Sequence, residues 1–124
     1  MRSTKSSEDY LETILLLSKK LPVVRSIDIA VARNYSKPSV SVAMKHLREN
    51  DCIEVSDAGF ITLTEKGKEI AESIYERHAL LSNWLVSLGV DEETAAEDAC
   101  GMEHQISDES FQAMKKFINQ HMAD

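Results

Sequence analysis

A chain of 124 residues with 43% hydrophobic content is long enough for one compact domain, or for two small lobes that share a core. No apolar run approaches the roughly 18 to 20 residues of a membrane helix and the polar start Met1 to Glu8 is not a signal peptide, so a cytoplasmic protein with no membrane partner is expected. Two cysteines, Cys52 and Cys100, exclude a disulfide framework, and the formal charge of −7 is unevenly spread: residues 1–70 hold 11 basic against 10 acidic side chains, residues 71–124 hold 3 against 11.

In chain order, Ser7 followed by acidic residues predicts a helix start, and Tyr10, Ile14, Leu17 and Leu21 recur at helical spacing until Pro22. Ser26 is expected to cap a short second helix to Arg33, with Asp28 in its first turn. Asn34 and Tyr35 make a turn. Ser36 caps a third helix that begins at Lys37 and Pro38, since proline is tolerated where the N–H groups lack helical partners. Val40, Ala43, Met44 and Leu47 are its buried stripe. Two β-like runs, Cys52 to Val55 and Phe60 to Leu63, flank a turn in which Gly59 supplies positive φ. Thr64 caps a long fourth helix, to about residue 88, with the stripe Ile70, Ile74, Leu81, Leu85 and Leu88. Asp91 caps a fifth helix to about His104. Ser107 starts a sixth, with Phe111, Met114, Phe117 and Ile118 on one side.

Two short helices, a tight turn and a β-hairpin predict a mainly α chain with an N-terminal winged helix-turn-helix, whose second helix enters the major groove of double-stranded DNA. That helix turns Lys37, Pro38, Ser39, Ser41, Val42 and Lys45 outward, with Ser36 at its cap. Ser36, Ser39 and the helix N-terminus suit a phosphate, Lys45 a phosphate or guanine edge, and Pro38 or Val42 a thymine methyl. Arg25 and Ser26 would hold the DNA backbone. With few strong base-reading groups outward, backbone contacts and a dimer's two half-sites carry much of the expected affinity. Against this stands a generic three-helix unit with a solvated polar face.

Metal-type ligands are scattered over three regions: Asp9 and Glu12, His78, then Cys100, Glu103 and His104. Positions i, i+3 and i+4 share a helix face, so the last three can converge on one ion, and Asp9 and Glu12 are likewise three apart. Carboxylate with imidazole suits Mn²⁺, Fe²⁺, Co²⁺ or Zn²⁺, and a thiolate shifts preference to the softer end. Spacing alone leaves other readings open: Asp9 and Glu12 also favour a helix N-terminus, and His78, between Ile74 and Leu81, also fits a core histidine.

Several linked segments carry a further signal: Glu8-Asp9-Tyr10-Leu11-Glu12-Thr13-Ile14, Asp28-Ile29-Ala30, Ser36-Lys37-Pro38-Ser39-Val40-Ser41, Leu63-Thr64-Glu65-Lys66-Gly67, Arg77-His78 and Glu103-His104-Gln105-Ile106-Ser107. In order and spacing they resemble the metal-dependent repressors of the iron-dependent-repressor and manganese-transport-regulator family. The resemblance implies a homodimer with a winged-helix domain over 1–70 and an α-helical metal-binding and dimerisation domain over 71–124. It further implies repression of metal-uptake genes at operator DNA with Mn(II) or Fe(II) as co-repressor, Co(II) and Zn(II) being alternatives in vitro. It implies a short member, without the SH3-like third domain of many iron-responsive relatives. Asp9, Glu12, His78, Cys100, Glu103 and His104 fall where the manganese branch places its ligands, but that branch has glutamate at Cys100, and the iron branch has methionine at Asp9. The iron branch's ancillary site is incomplete, with Ser82 and Glu97 at two of its positions. A two-metal cluster and one site with a weaker second therefore both stay open.

The mechanism expected is that metal ties the helix-one carboxylates to the Cys100–His104 face and selects a recognition-helix spacing that fits DNA. Protons compete, because thiolate and imidazole must be deprotonated to bind. The alternative is a metal-independent winged-helix regulator with Cys100 as a redox sensor. A small metallohydrolase, with Glu103 as base, lacks a His-Glu-x-x-His motif, so no enzyme is expected.

Overall fold

The computed structural model describes residues 4–122, so the first three residues of the polar start and the last two of the 71–124 segment lie outside the described residues. Those described form six helices and one two-stranded antiparallel sheet: α1 (Lys5–Lys20), α2 (Ser26–Arg33), α3 (Lys37–Glu49), β1 (Ile53–Val55), β2 (Ile61–Leu63), α4 (Glu65–Ser87), α5 (Glu92–Glu103) and α6 (Asp108–Met122). The architecture is mainly α, with an N-terminal winged helix-turn-helix made by α2, α3 and the β1–β2 hairpin. Contacts divide the chain into two compact units, up to Ser73 and from Ile74 onward, and α4 contributes to both.

Local chemistry sets most element ends, twice one or more residues away from the sequence expectation. The α1 cap is Thr4, whose Oγ1 accepts from the Ser7 N–H at 3.1 Å, so Ser7 lies within the helix. Ser26 is the first residue of α2, and the capping position falls to Arg25. The Asp28 carboxylate accepts from the Arg25 N–H at 2.8 Å, satisfying a donor that has no helical partner. Asn34 ends α2 at φ 56°, a left-handed conformation that asparagine tolerates. Ser36 caps α3 by accepting from the Ser39 N–H at 3.3 Å, as expected.

The core of the first unit is built from one face of each helix: Leu11 and Ile14 of α1, Ile29 of α2, and Val40, Met44 and Leu47 of α3, closed by Cys52, Ile53 and Ile61 of the hairpin. Ile53 pairs with Leu63, Glu54 with Thr62 and Val55 with Ile61, and Gly59 in the connecting turn has φ 83°. The hairpin is tied down at both sides: Ile61 N–H donates to the Val24 carbonyl at 2.8 Å, and Thr64 Oγ1 donates to the Asp51 carbonyl at 2.6 Å. Burial pushes the Tyr10 hydroxyl above its ordinary pKa; nearby Tyr35 adds to the effect and Arg33 opposes it.

In the second unit Ile74 and Leu81 of α4, Ala95 and Ala99 of α5, and Phe111 and Ile118 of α6 are buried. Leu88 departs from its expected stripe. With α4 ending at Ser87 it lies past the helix and is 64% exposed; Phe117 of α6 is also exposed. Among the described residues no helix is long and apolar enough to cross a membrane.

Gly67 sits in the first turns of α4 where the helix backbone meets the residue before β1: a Cβ there would overlap the Cys52 carbonyl oxygen. Gly101 of α5 has open space around its Cα. Helix propensity favours alanine at both positions, yet packing opposes it at the first. Gly67→Ala is therefore expected to destabilise by about 1 to 3 kcal/mol, and Gly101→Ala to stabilise by about 0.5 to 1 kcal/mol. Urea unfolding of the two variants checks this, and equal effects of the same sign would contradict it.

Candidate metal centre and nucleic-acid interface

The second unit gathers four ligand-type side chains. Glu103, the last residue of α5, is 0% exposed; burying a carboxylate costs several kcal/mol unless partners compensate. Its Oε2 lies 2.9 Å from His78 Nδ1, and its Oε1 lies 3.3 Å from His104 Nε2. The His104 side chain is 1% exposed and that of His78 33%. Cys100 precedes Glu103 by one turn and is half-buried. One donor atom from each of Cys100, Glu103 and His104 falls within 4.8 Å of the others, and His78 is outside that set. The i, i+3, i+4 spacing is thus realised on the last turn of α5, with His104 just past the helix as its C-cap.

This donor set fits a divalent first-row metal. A thiolate, a carboxylate and an imidazole are borderline ligands, matched to Zn²⁺, Co²⁺ and Fe²⁺ and, through the carboxylate and imidazole, to Mn²⁺. His78, hydrogen-bonded to Glu103, is placed to orient that carboxylate.

In the first unit Asp9 and Glu12 lie one turn apart on α1, both buried. Asp9 Oδ1 is 3.4 Å from Arg33 Nη2, at the end of α2. Sequence reasoning overlooked Arg33 in this role because nothing in spacing links it to Asp9. It also overlooked Arg77, whose side chain is buried beside His78. A signal did exist there: Arg77 is three residues after Ile74 and four before Leu81, so it shares the face of the apolar stripe.

The residues expected from the sequence to meet nucleic acid lie wholly within the first unit. Lys37, Pro38, Ser39, Ser41, Val42 and Lys45 of α3 are exposed, as are Ser36 at its cap and Arg25 and Ser26 at the start of α2. Val42, an apolar side chain, is 58% exposed at the outward centre of the helix. Ser36 Oγ donates to Ser39 Oγ at 2.8 Å, holding the two hydroxyls together at the α3 N-terminus. Pro38, Ser39 and Val42 form one wall of an open groove of about 740 Å³, shared with Tyr10, Tyr35 and His46. Arg25 is held over the ring of Phe60, its guanidinium carbon 4.8 Å from the centroid. His46 and His121 are exposed.

Comparison with known proteins matches this division of labour. Residues 3–59 match the iron dependent repressor N-terminal DNA binding domain, and residues 64–124 match the iron dependent repressor metal binding and dimerisation domain. The chain is 35% identical over 116 residues to the transcriptional regulator MntR of Escherichia coli O6:H1, covering 94% of this chain and 75% of that one. It is 37% identical over 117 residues to an HTH-type transcriptional regulator of Methanocaldococcus jannaschii, covering 93% and 94% of the two chains. Among solved structures, that of the manganese regulator SloR superposes with a TM-score of 0.81 at 32% identity, covering 96% of this chain and 55% of that one. The chain thus spans about half the length of that solved relative. These relatives are regulators of transcription, not enzymes. Matched on both halves, the chain belongs to the iron-dependent repressor family of metal-dependent transcriptional regulators.

Proposed function

We propose that this protein represses metal-uptake genes, binding double-stranded operator DNA as a cytoplasmic homodimer with Mn(II) or Fe(II) as co-repressor. The observation that carries the reading is the buried Glu103 carboxylate with His104 and Cys100 beside it and His78 on its other oxygen, inside the segment that matches a metal-binding domain. The likeness to a manganese regulator supports Mn(II), and the thiol of Cys100 supports the softer Fe(II). In this reading residues 1–70 bind DNA, and residues 71–124 bind metal and dimerise.

The proposed ligand set is Asp9, Glu12, His78, Cys100, Glu103 and His104. A bound divalent cation would supply charge neutralisation to these acidic groups. Asp9 would take part from beside Arg33, whose Nη2 lies 3.4 Å from its Oδ1. On the DNA side Arg25, Lys37 and Lys45 neutralise phosphates, and Ser36 and Ser39 present hydroxyls at the positive end of α3. Ser26 and Ser41 add polar backbone contacts, and Pro38 and Val42 meet thymine methyls.

Coupling between metal and DNA is reciprocal by thermodynamic linkage. In fluorescence anisotropy with a labelled operator, Mn(II) should tighten binding of the natural chain over chelator, and His104→Ala should erase that difference while gel filtration still shows a dimer. An unchanged metal response in the variant would move the site elsewhere. Lys45→Ala should weaken binding to all sequences alike and reduce the slope of log affinity against log salt by about 1; a sequence-selective loss would instead make Lys45 a base reader. Loaded with Co(II), the natural chain should show a near-ultraviolet thiolate-to-cobalt band that Cys100→Ser lacks. Its absence from the natural chain would remove Cys100 from the ligand set.

A further inference from the structure

One basic side chain lies on the buried face of α4, and it grips the segment that carries two of the proposed ligands. Arg77 is 9% exposed. Its Nη1 donates to the backbone carbonyl of Glu103 at 3.1 Å and to that of Ile106 at 2.8 Å. Its Nη2 lies 3.7 Å from Asp108 Oδ1, and its guanidinium carbon lies 5.1 Å from the centroid of the Phe111 ring. One guanidinium therefore touches the last residue of α5, the turn after it, and the first two turns of α6.

Carbonyls in the last turn of a helix have no intrahelical donor, so that of Glu103 needs an outside partner; the Ile106 carbonyl, in the turn that follows, takes the same donor, and a buried charge needs acceptors in return. The planar fork of arginine can serve two carbonyls while its face rests on an aromatic ring; a lysine ammonium cannot do both. The neighbouring residue, His78, holds the Glu103 carboxylate at 2.9 Å. Adjacent residues of α4 thus fix Glu103 at both ends, Arg77 by its backbone and His78 by its side chain, and the Ile106 contact brackets His104 from the other side.

We propose that Arg77 is a positioning residue for the metal centre, setting the backbone from which Glu103 and His104 project. The proposal rests on the metal-binding reading given above. Residues that orient metal ligands without touching the ion typically govern affinity by about 10- to 100-fold. Loss of the fork would leave the ligand types in place and loosen their geometry.

The test uses the full chain with Arg77→Lys and, because a buried arginine variant can fail to fold, Asp108→Asn, which alters only the exposed end of the grip. Co(II) and Mn(II) affinities are measured by titration calorimetry, the Co(II) absorption spectrum at saturation, and the metal-free melting temperature. Arg77→Lys is expected to weaken metal binding by about 10- to 100-fold and to change the band positions and intensities of the saturated Co(II) spectrum. Asp108→Asn is expected to shift affinity in the same direction by less. A purely structural role would lower the melting temperature and leave affinity and spectrum of the folded protein as in the natural chain; that result for Arg77→Lys overturns the proposal. If Arg77→Lys does not fold, natural affinity in Asp108→Asn overturns it. A natural chain that binds neither ion overturns the metal reading and this inference with it.

Discussion

The Glu103 carboxylate is wholly removed from water at the end of α5, and much of the second unit is arranged around what that requires. A carboxylate in such a place needs positive or hydrogen-bonding partners, since its desolvation is worth several kcal/mol. Two imidazoles meet its oxygens, while an arginine takes its backbone carbonyl. The end of α5 and the middle of α4 are thereby tied to one residue, and a divalent cation is the partner that its neighbours are chemically suited to share.

The two halves of the sequence divide their charge accordingly. The acidic surplus lies in residues 71–124, where cation attraction is useful, and the near balance of residues 1–70 leaves lysines and an arginine on the exposed face of the helix-turn-helix. That face is built from small hydroxyls, a proline and a valine more than from long hydrogen-bonding side chains. In the proposed complex such a surface would meet the groove through methyl contact and shape more than through hydrogen bonds to base edges.

Helices and hairpin were legible because their apolar residues recur at 3.6 or 2 and because Ser36, Thr64, Asp91 and Ser107 stand alone at the places where a cap is needed. Thr4 and Ser7, or Arg25 and Ser26, compete within one turn, and only backbone geometry decides between them. Leu88 fits the stripe of α4 by count but follows the last helical residue, so its face is lost. The ligand types of the second unit were visible in Cys100, Glu103 and His104 because they lie on one turn. Arg77 and Arg33 were not, since their acceptors are separated from them in sequence and are supplied only when other segments fold beside them: the α5–α6 turn for Arg77, and α1 for Arg33.

Arg25 rests on the ring of Phe60, in the turn that leads into β2, a contact of roughly 0.5 to 1 kcal/mol at an exposed site. A free arginine side chain surrenders much of its rotational freedom when it closes on a phosphate, and that loss subtracts from affinity. Here part of the freedom is already surrendered in the unbound protein. If Arg25 holds a phosphate as proposed, Phe60, which has no polar group to offer a nucleic acid, would enter the energetics of DNA binding through entropy, with the wing as a splint for a side chain of the neighbouring helix.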